Sequence, residues 1–148
     1  MYEHGSYKIK VINQTIIVEC FDSWNIETVL RFCKEYKEMV EEIKSKPWAC
    51  LVDLSQWELS TPDMWDEIYK LNEWSNDKNQ KYEAVICSLS LQEKLVNNSH
   101  KAFINVESNF FKNIDQACNW LTSIGVLNIE EASCLMVGKE KMGSDSYS

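Results

Sequence analysis

The chain has 148 residues, 45% of them apolar and 26% charged, with a formal net charge of −8; that balance fits one folded domain and excludes a disordered or fibrous chain. Arg31 is the single arginine and the lysines are scattered, so a grip on nucleic acid or anionic membrane is not expected. The four glycines are Gly5, Gly125, Gly138 and Gly143, which excludes a glycine-rich phosphate loop from the body of the fold.

Tyr7–Ile12 and Thr15–Cys20 are two β-rich runs around the polar pair Asn13-Gln14, the pattern of a hairpin. Asn25 then caps a predicted helix running to about Lys44. Its inward positions would be Ile26, Val29, Leu30, Cys33, Tyr36, Val40 and Ile43, and its other face is charged. Pro47 stops it. Trp48–Leu54 is a near-continuous apolar run, as in a buried parallel strand. Thr61-Pro62-Asp63 opens the next helix with an N-cap, a proline suited to the first turn and an acid at the positive end. That helix should reach about Asn76 and bury Met64 or Trp65, Ile68, Leu71 and Trp74.

Tyr82–Ser88 reads as a strand, and Ser90 as the cap of a shorter helix from Leu91 to about His100. Ala102–Val106 is expected to form a short last strand. Asn113 or Lys112 precedes a final helix with Ile114, Ala117, Cys118, Leu121 and Ile124 inward, closed by Gly125. The order is β-β-α-β-α-β-α-β-α. It predicts an open, mostly parallel α/β sheet with an antiparallel N-terminal edge hairpin. Residues 1–125 form the domain, and 126–148 a C-terminal extension, weakly structured or docked on a partner.

The cysteines are Cys20, Cys33, Cys50, Cys87, Cys118 and Cys134, with no CxxC pair, and the histidines are His4 and His100. Reduced thiols are expected, and neither a metal site nor a cofactor. Met1–Ser6 lacks the basic and apolar regions of a signal peptide, and no apolar run approaches a membrane span. A cytoplasmic location is the expectation.

A spaced set of residues resembles a known family. It comprises Trp24-Asn25, Pro47-Trp48 leading into Leu51-Val52-Asp53-Leu54, Trp57 with Thr61-Pro62, Ala84-Val85, Phe110-Phe111, Ala117 and Trp120-Leu121. Together with the element order, the set resembles the STAS domain of bacterial anti-sigma-factor antagonists across roughly residues 6–125. More narrowly, it looks like the STAS-like bacterial proteins that are compared with both those antagonists and CRAL-TRIO lipid-transfer domains. The resemblance implies helices packed on an open sheet and a regulatory role through protein contact. In the antagonists, a Ser or Thr of an Asp-Ser-[Ser/Thr]-Gly segment after the third strand is phosphorylated. Here Ser60 and Thr61 fall at about that place, without the Asp and Gly. Thr61 is equally accounted for as a helix cap.

Trp24, Asp53, Trp57 and Trp65 cluster near strand ends in the sequence, where open α/β sheets bind ligands, so they are the candidates for an apolar crevice. Trp48, Trp74 and Trp120 are better explained by packing. No catalytic motif is present: there is no Gly-x-Ser-x-Gly, and His100 sits at a polar helix end with no marked partner. Acids at Glu58, Asp63 and Glu67 are ordinary for a helix start. The sequence therefore predicts a non-catalytic module that binds a protein partner, with a second copy of the chain as one candidate; Phe110-Phe111 and Trp120 either anchor the final helix or serve such a homodimer. The alternative is a carrier or sensor of a hydrophobic small molecule.

Overall fold

The computed structural model describes residues 6–58 and 61–128. Five strands form one sheet, β1 (Ser6–Ile12), β2 (Thr15–Asp22), β3 (Trp48–Trp57), β4 (Gln80–Ile86) and β5 (Glu107–Phe111), and they lie side by side in chain order. β1 pairs with β2 antiparallel, and all other pairings are parallel. The helices are α1 (Ile26–Val40), α2 (Pro62–Asn76), α3 (Ser90–Ser99) and α4 (Ile114–Ile124), with a 3₁₀ turn over His100–Ala102. This is the expected α/β architecture. The unbroken strand order follows from successive crossovers of one hand.

Alternation along the strands divides the core into two layers. Ile16, Val18, Cys20, Cys50, Leu54 and Val85 pack under α1, α2 and α3. Ile17, Ala49, Leu51, Ala84 and Ile86 pack against Ala117, Cys118 and Leu121 of α4. Both sheet faces are covered, so the central strands are mostly apolar, with Thr15, Glu19, Asp53, Gln80 and Glu83 as buried polar exceptions. Val126 and Leu127 are buried in the α4 layer, and Thr15 Oγ1 donates to the Val126 carbonyl at 2.9 Å. The chain beyond residue 128, with Cys134 and the remainder of the expected extension, lies outside the described residues.

Local sequence explains the helix ends. Asn25 Oδ1 accepts from the Thr28 amide at 3.0 Å, and Asn113 Oδ1 accepts from the Gln116 amide at 2.9 Å. Gly125 adopts φ 97°, the left-handed cap that a residue with a Cβ avoids, and its amide reaches the Leu121 and Thr122 carbonyls.

Five expectations are corrected. α1 ends at Val40 and continues as turns, and Phe32, not Leu30, belongs to its inner face; Leu30 is 51% exposed. The stripe runs 29, 32, 36, 40, 43 because Phe32 packs with the rings of Tyr7, Trp24 and Tyr36. β3 extends to Trp57, so Asp53 lies inside the strand. α3 begins at Ser90 and its cap position is Leu89, so Ser90 is not the cap. The last strand is Glu107–Phe111, not Ala102–Val106. Asn76 explains the last shift: its amide donates to the Ala102 carbonyl and its Oδ1 accepts from the Ile104 amide, which holds 102–104 as a loop.

Candidate functional site

Two irregularities in the sheet decide what faces the α1–α2–α3 layer. Glu19 pairs with Asp53 and Phe21 with Gln56, so β3 contains one residue more than β2 there. Asp53 Oδ1 accepts from the Ser55 amide at 2.9 Å within this bulge. The extra residue reverses the alternation: Cys50, Val52 and Leu54 face the helices, and so does Trp57. In the same way, Trp48 pairs with Gln80 and Ala49 with Tyr82, an extra residue in β4 that puts Gln80 and Glu83 on one face.

Between that face and the helices lies a cavity of about 80 Å³. Its floor is Val18, Cys20, Cys50, Val52 and Val85, and its cover includes Phe32, Tyr36, Met64 and Trp65. Trp24, Trp57 and Trp65 all line it, edge to face, with centroids 6.3 Å apart for the first pair and 5.8 Å for the second. Trp24 Nε1 also donates to the Ser6 carbonyl at 3.1 Å. Asp53 is not part of the lining, because it points to the opposite face from Val52 and Leu54. The site is thus not a crevice beyond the strand ends. The strand order has no reversal, hence no switch-point gap, and the free space lies beneath the helices.

One wall of the cavity is polar. Glu83 and His100 are 6% and 8% exposed, and His100 Nε2 meets Glu83 Oε2 at 2.5 Å. Gln80 Nε2 donates to Glu83 Oε1 at 3.1 Å, so both carboxylate oxygens are held. His100 is wedged between Phe103 and Phe110, with ring centroids 5.0 and 5.8 Å away. Asn72 of α2 donates to the Ser99 carbonyl at 3.0 Å and fastens α3 at this point. Reading His100 as part of a polar helix end without a partner is therefore corrected: the 3₁₀ turn carries it inward. Glu83 escaped sequence reasoning. The signal was there, since a lone acid in phase with Val85 and Cys87 must share their interior face.

Cys20 and Cys50 are buried on the cavity floor. Burial, and then nearby Asp53 and Glu19, push Cys20 well above its ordinary value. Burial first, then Glu83, does the same to Cys50. Among the described residues, no group of His, Cys, Asp and Glu has the arrangement of a metal site, and the five cysteines are unpaired.

Ser60 lies outside the described residues. Thr61 is exposed at the N-cap position of α2 with extended backbone, and its side chain makes no capping hydrogen bond. Trp48 is fully buried with Nε1 donating to the Lys78 carbonyl, Trp74 lies under Lys37 and Lys78, and Trp120 packs on Tyr82 and Phe111. These three are packing residues. No described helix is long and apolar enough to cross a membrane.

The fold is STAS-like. It is similar to an uncharacterised protein of the DUF3478 family with a SpoIIAA-like fold from Shewanella loihica PV-4. The TM-score is 0.65 at 15% identity, over 82% of this chain and 98% of that one. It is also similar to an anti-sigma factor antagonist from Mycobacterium paratuberculosis, with TM-score 0.54, 11% identity and coverage of 78% and 92%. The anti-sigma factor antagonist SpoIIAA in its unphosphorylated form gives TM-score 0.56 at 6% identity, covering 78% and 97%. No family model matches the sequence, and no curated protein matches it.

Proposed function

We propose that this chain is a non-catalytic binding module that regulates by contact with a protein partner. The observation that carries the reading is the pair Leu89 and Leu91, 57% and 51% exposed where β4 passes into α3. Two large apolar side chains flanking one serine favour cover by a second protein surface. The fold's likeness to proteins named as anti-sigma factor antagonists supports the same reading. Glu93, Asp63 and Asp66 are exposed near the same end of the sheet, so the partner's rim is expected to be basic. A second copy of the chain is the competing occupant. Phosphorylation of Thr61 is not required, and the neighbouring Asp63 and Asp66 oppose it.

The test is a Leu89→Ser, Leu91→Ser double variant, purified gently from the cells that produce the protein. Native mass spectrometry should show a defined complex for the original chain and its loss in the variant, with the unfolding midpoint unchanged. A complex that survives the double substitution contradicts the reading, and a complex made only of this chain assigns the surface to a homodimer.

A second reading, carriage or sensing of a hydrophobic small molecule, is favoured by the aromatic cavity. It predicts that an apolar ring compound changes the tryptophan emission, and that Trp57→Phe reduces the change. Silence across a broad panel of such compounds would count against it.

A further inference from the structure

Val18, Val52 and Val85 form one row across β2, β3 and β4, all facing the helix layer. The outer two are each 0% exposed, yet Val52, between them, is only partly buried. A side chain at the centre of a sheet, beneath helices, is accessible only where empty space lies directly over it. The cavity is therefore seated on Val52. Trp65 and Ile68 of α2 are the other lining residues that are only partly buried, which puts the way in beside that helix.

This space offers almost nothing to a hydrogen-bonding molecule, because its surface is nearly all apolar. The polar side chains on its wall are committed. Gln80 and His100 hold the two Glu83 oxygens, Asn72 donates to the Ser99 carbonyl, and Ser99 Oγ donates to the Val96 carbonyl. Trp57 Nε1 and His100 Nδ1 have no partner among the described residues, but they have essentially no accessible surface, so they do not face the space. Ordered water needs several polar partners and does not find them here. An apolar cavity of about 150 Å³ stays dry and takes benzene or xenon. The present one, at about 80 Å³, is roughly half as large, which makes a benzene ring the upper limit of size. A hydroxyl or a charge carried into it would give up its water without a replacement.

We infer that the space over Val52 is a dry site for a small, neutral, wholly apolar molecule: a hydrocarbon or halocarbon no larger than a benzene ring, with no hydrogen-bonding head group. The inference rests on the small-molecule reading and adds the size limit and the exclusion of polar groups.

The test is methyl NMR of the full chain titrated with xenon, benzene, phenol and naphthalene. Xenon and benzene should shift the methyl signals of Val18, Val52 and Val85. Phenol should bind roughly tenfold or more weakly than benzene, because its hydroxyl is buried unpaired, and naphthalene should not bind. Val52→Phe fills the space with protein and should abolish benzene binding without lowering the unfolding midpoint. Val52→Ala enlarges the space and should tighten benzene binding, a gain that does not depend on how the larger side chain is tolerated. Phenol binding as tightly as benzene, with shifts at the same valines, overturns the exclusion of polar groups while the small-molecule reading stands. Naphthalene binding more tightly than benzene overturns the size limit alone. Benzene binding that both Val52 variants leave unchanged overturns the location. Binding of none of the four by the folded chain defeats the small-molecule reading itself.

Discussion

At the scale of single residues, the pair Glu83–His100 has the largest consequence for stability. Removing one member of a buried pair leaves the other without its partner, which costs about 3–5 kcal/mol, whereas replacing both by apolar residues is often close to neutral. Glu83→Leu and His100→Leu should each lower the urea midpoint strongly, and the double variant should be more stable than either single one. Additive losses would show that the two side chains do not act as a unit. The thiols give a second prediction. Burial raises Cys33 and Cys118 from an ordinary 9.0 to about 11 each. Their folded values exceed the unfolded ones, so both favour folding below pH 9.0 and lose that contribution as pH climbs toward about 11. Stability should fall across that window. At about pH 8, iodoacetamide should label the folded protein slowly and the urea-unfolded chain fully, since the thiolate is the nucleophile. Rapid labelling of Cys20 or Cys50 in the folded state would contradict their burial.

At the scale of elements, the helix caps differ in a measurable way. Asn25 and Asn113 use their side chains to cap, and Thr61 does not. Asn25→Ala and Asn113→Ala should each cost about 1 kcal/mol, while Thr61→Ala should stay within about 0.5 kcal/mol. Chemical denaturation of the three variants decides the matter, and a large loss for Thr61→Ala would mean that its hydroxyl holds the helix after all. The same elements show what the sequence made legible. The Asn25 and Asn113 caps, the Gly125 closure and the apolar run of β3 are local signals that match the observed elements, whereas α1 ends at Val40, ahead of the Pro47 stop, and Ser90 does not cap α3. The inner face of α1 is not local, because Phe32 is drawn in by Tyr7 and Trp24 from outside the helix. Nor is β5 legible: Phe110 faces His100 and Phe111 faces Trp120, so adjacent aromatics serve opposite faces of an edge strand with polar neighbours. The bulges in β3 and β4 are set by pairing with neighbouring strands, and no alternation rule applied to one strand reveals them.

At the scale of the whole molecule, element order alone carried the architecture, because alternating strands and helices leave few topologies open. The site was only partly legible. Three of the tryptophans picked out by the sequence line one cavity, yet Asp53 lies on the other face and the polar wall of Glu83 and His100 was hidden. Burial of His100 depends on where a 3₁₀ turn delivers it, a property of the packed chain rather than of any motif. The exposed leucines lie next to the Trp57 end of the cavity, since Gln92, one residue after Leu91, donates to the Trp57 carbonyl at 2.7 Å, but neither leucine lines the cavity.

The central claim is that the surface at the start of α3 meets a protein partner. A photo-activated cross-linking residue placed at position 89 or 91, in the cells that produce the protein, tests it most directly, with the exposed Lys46 at the opposite end of the sheet as the control position. The account predicts one discrete protein adduct from positions 89 and 91 and none from 46. Adducts equal at all three positions, or absent from 89 and 91, would contradict it.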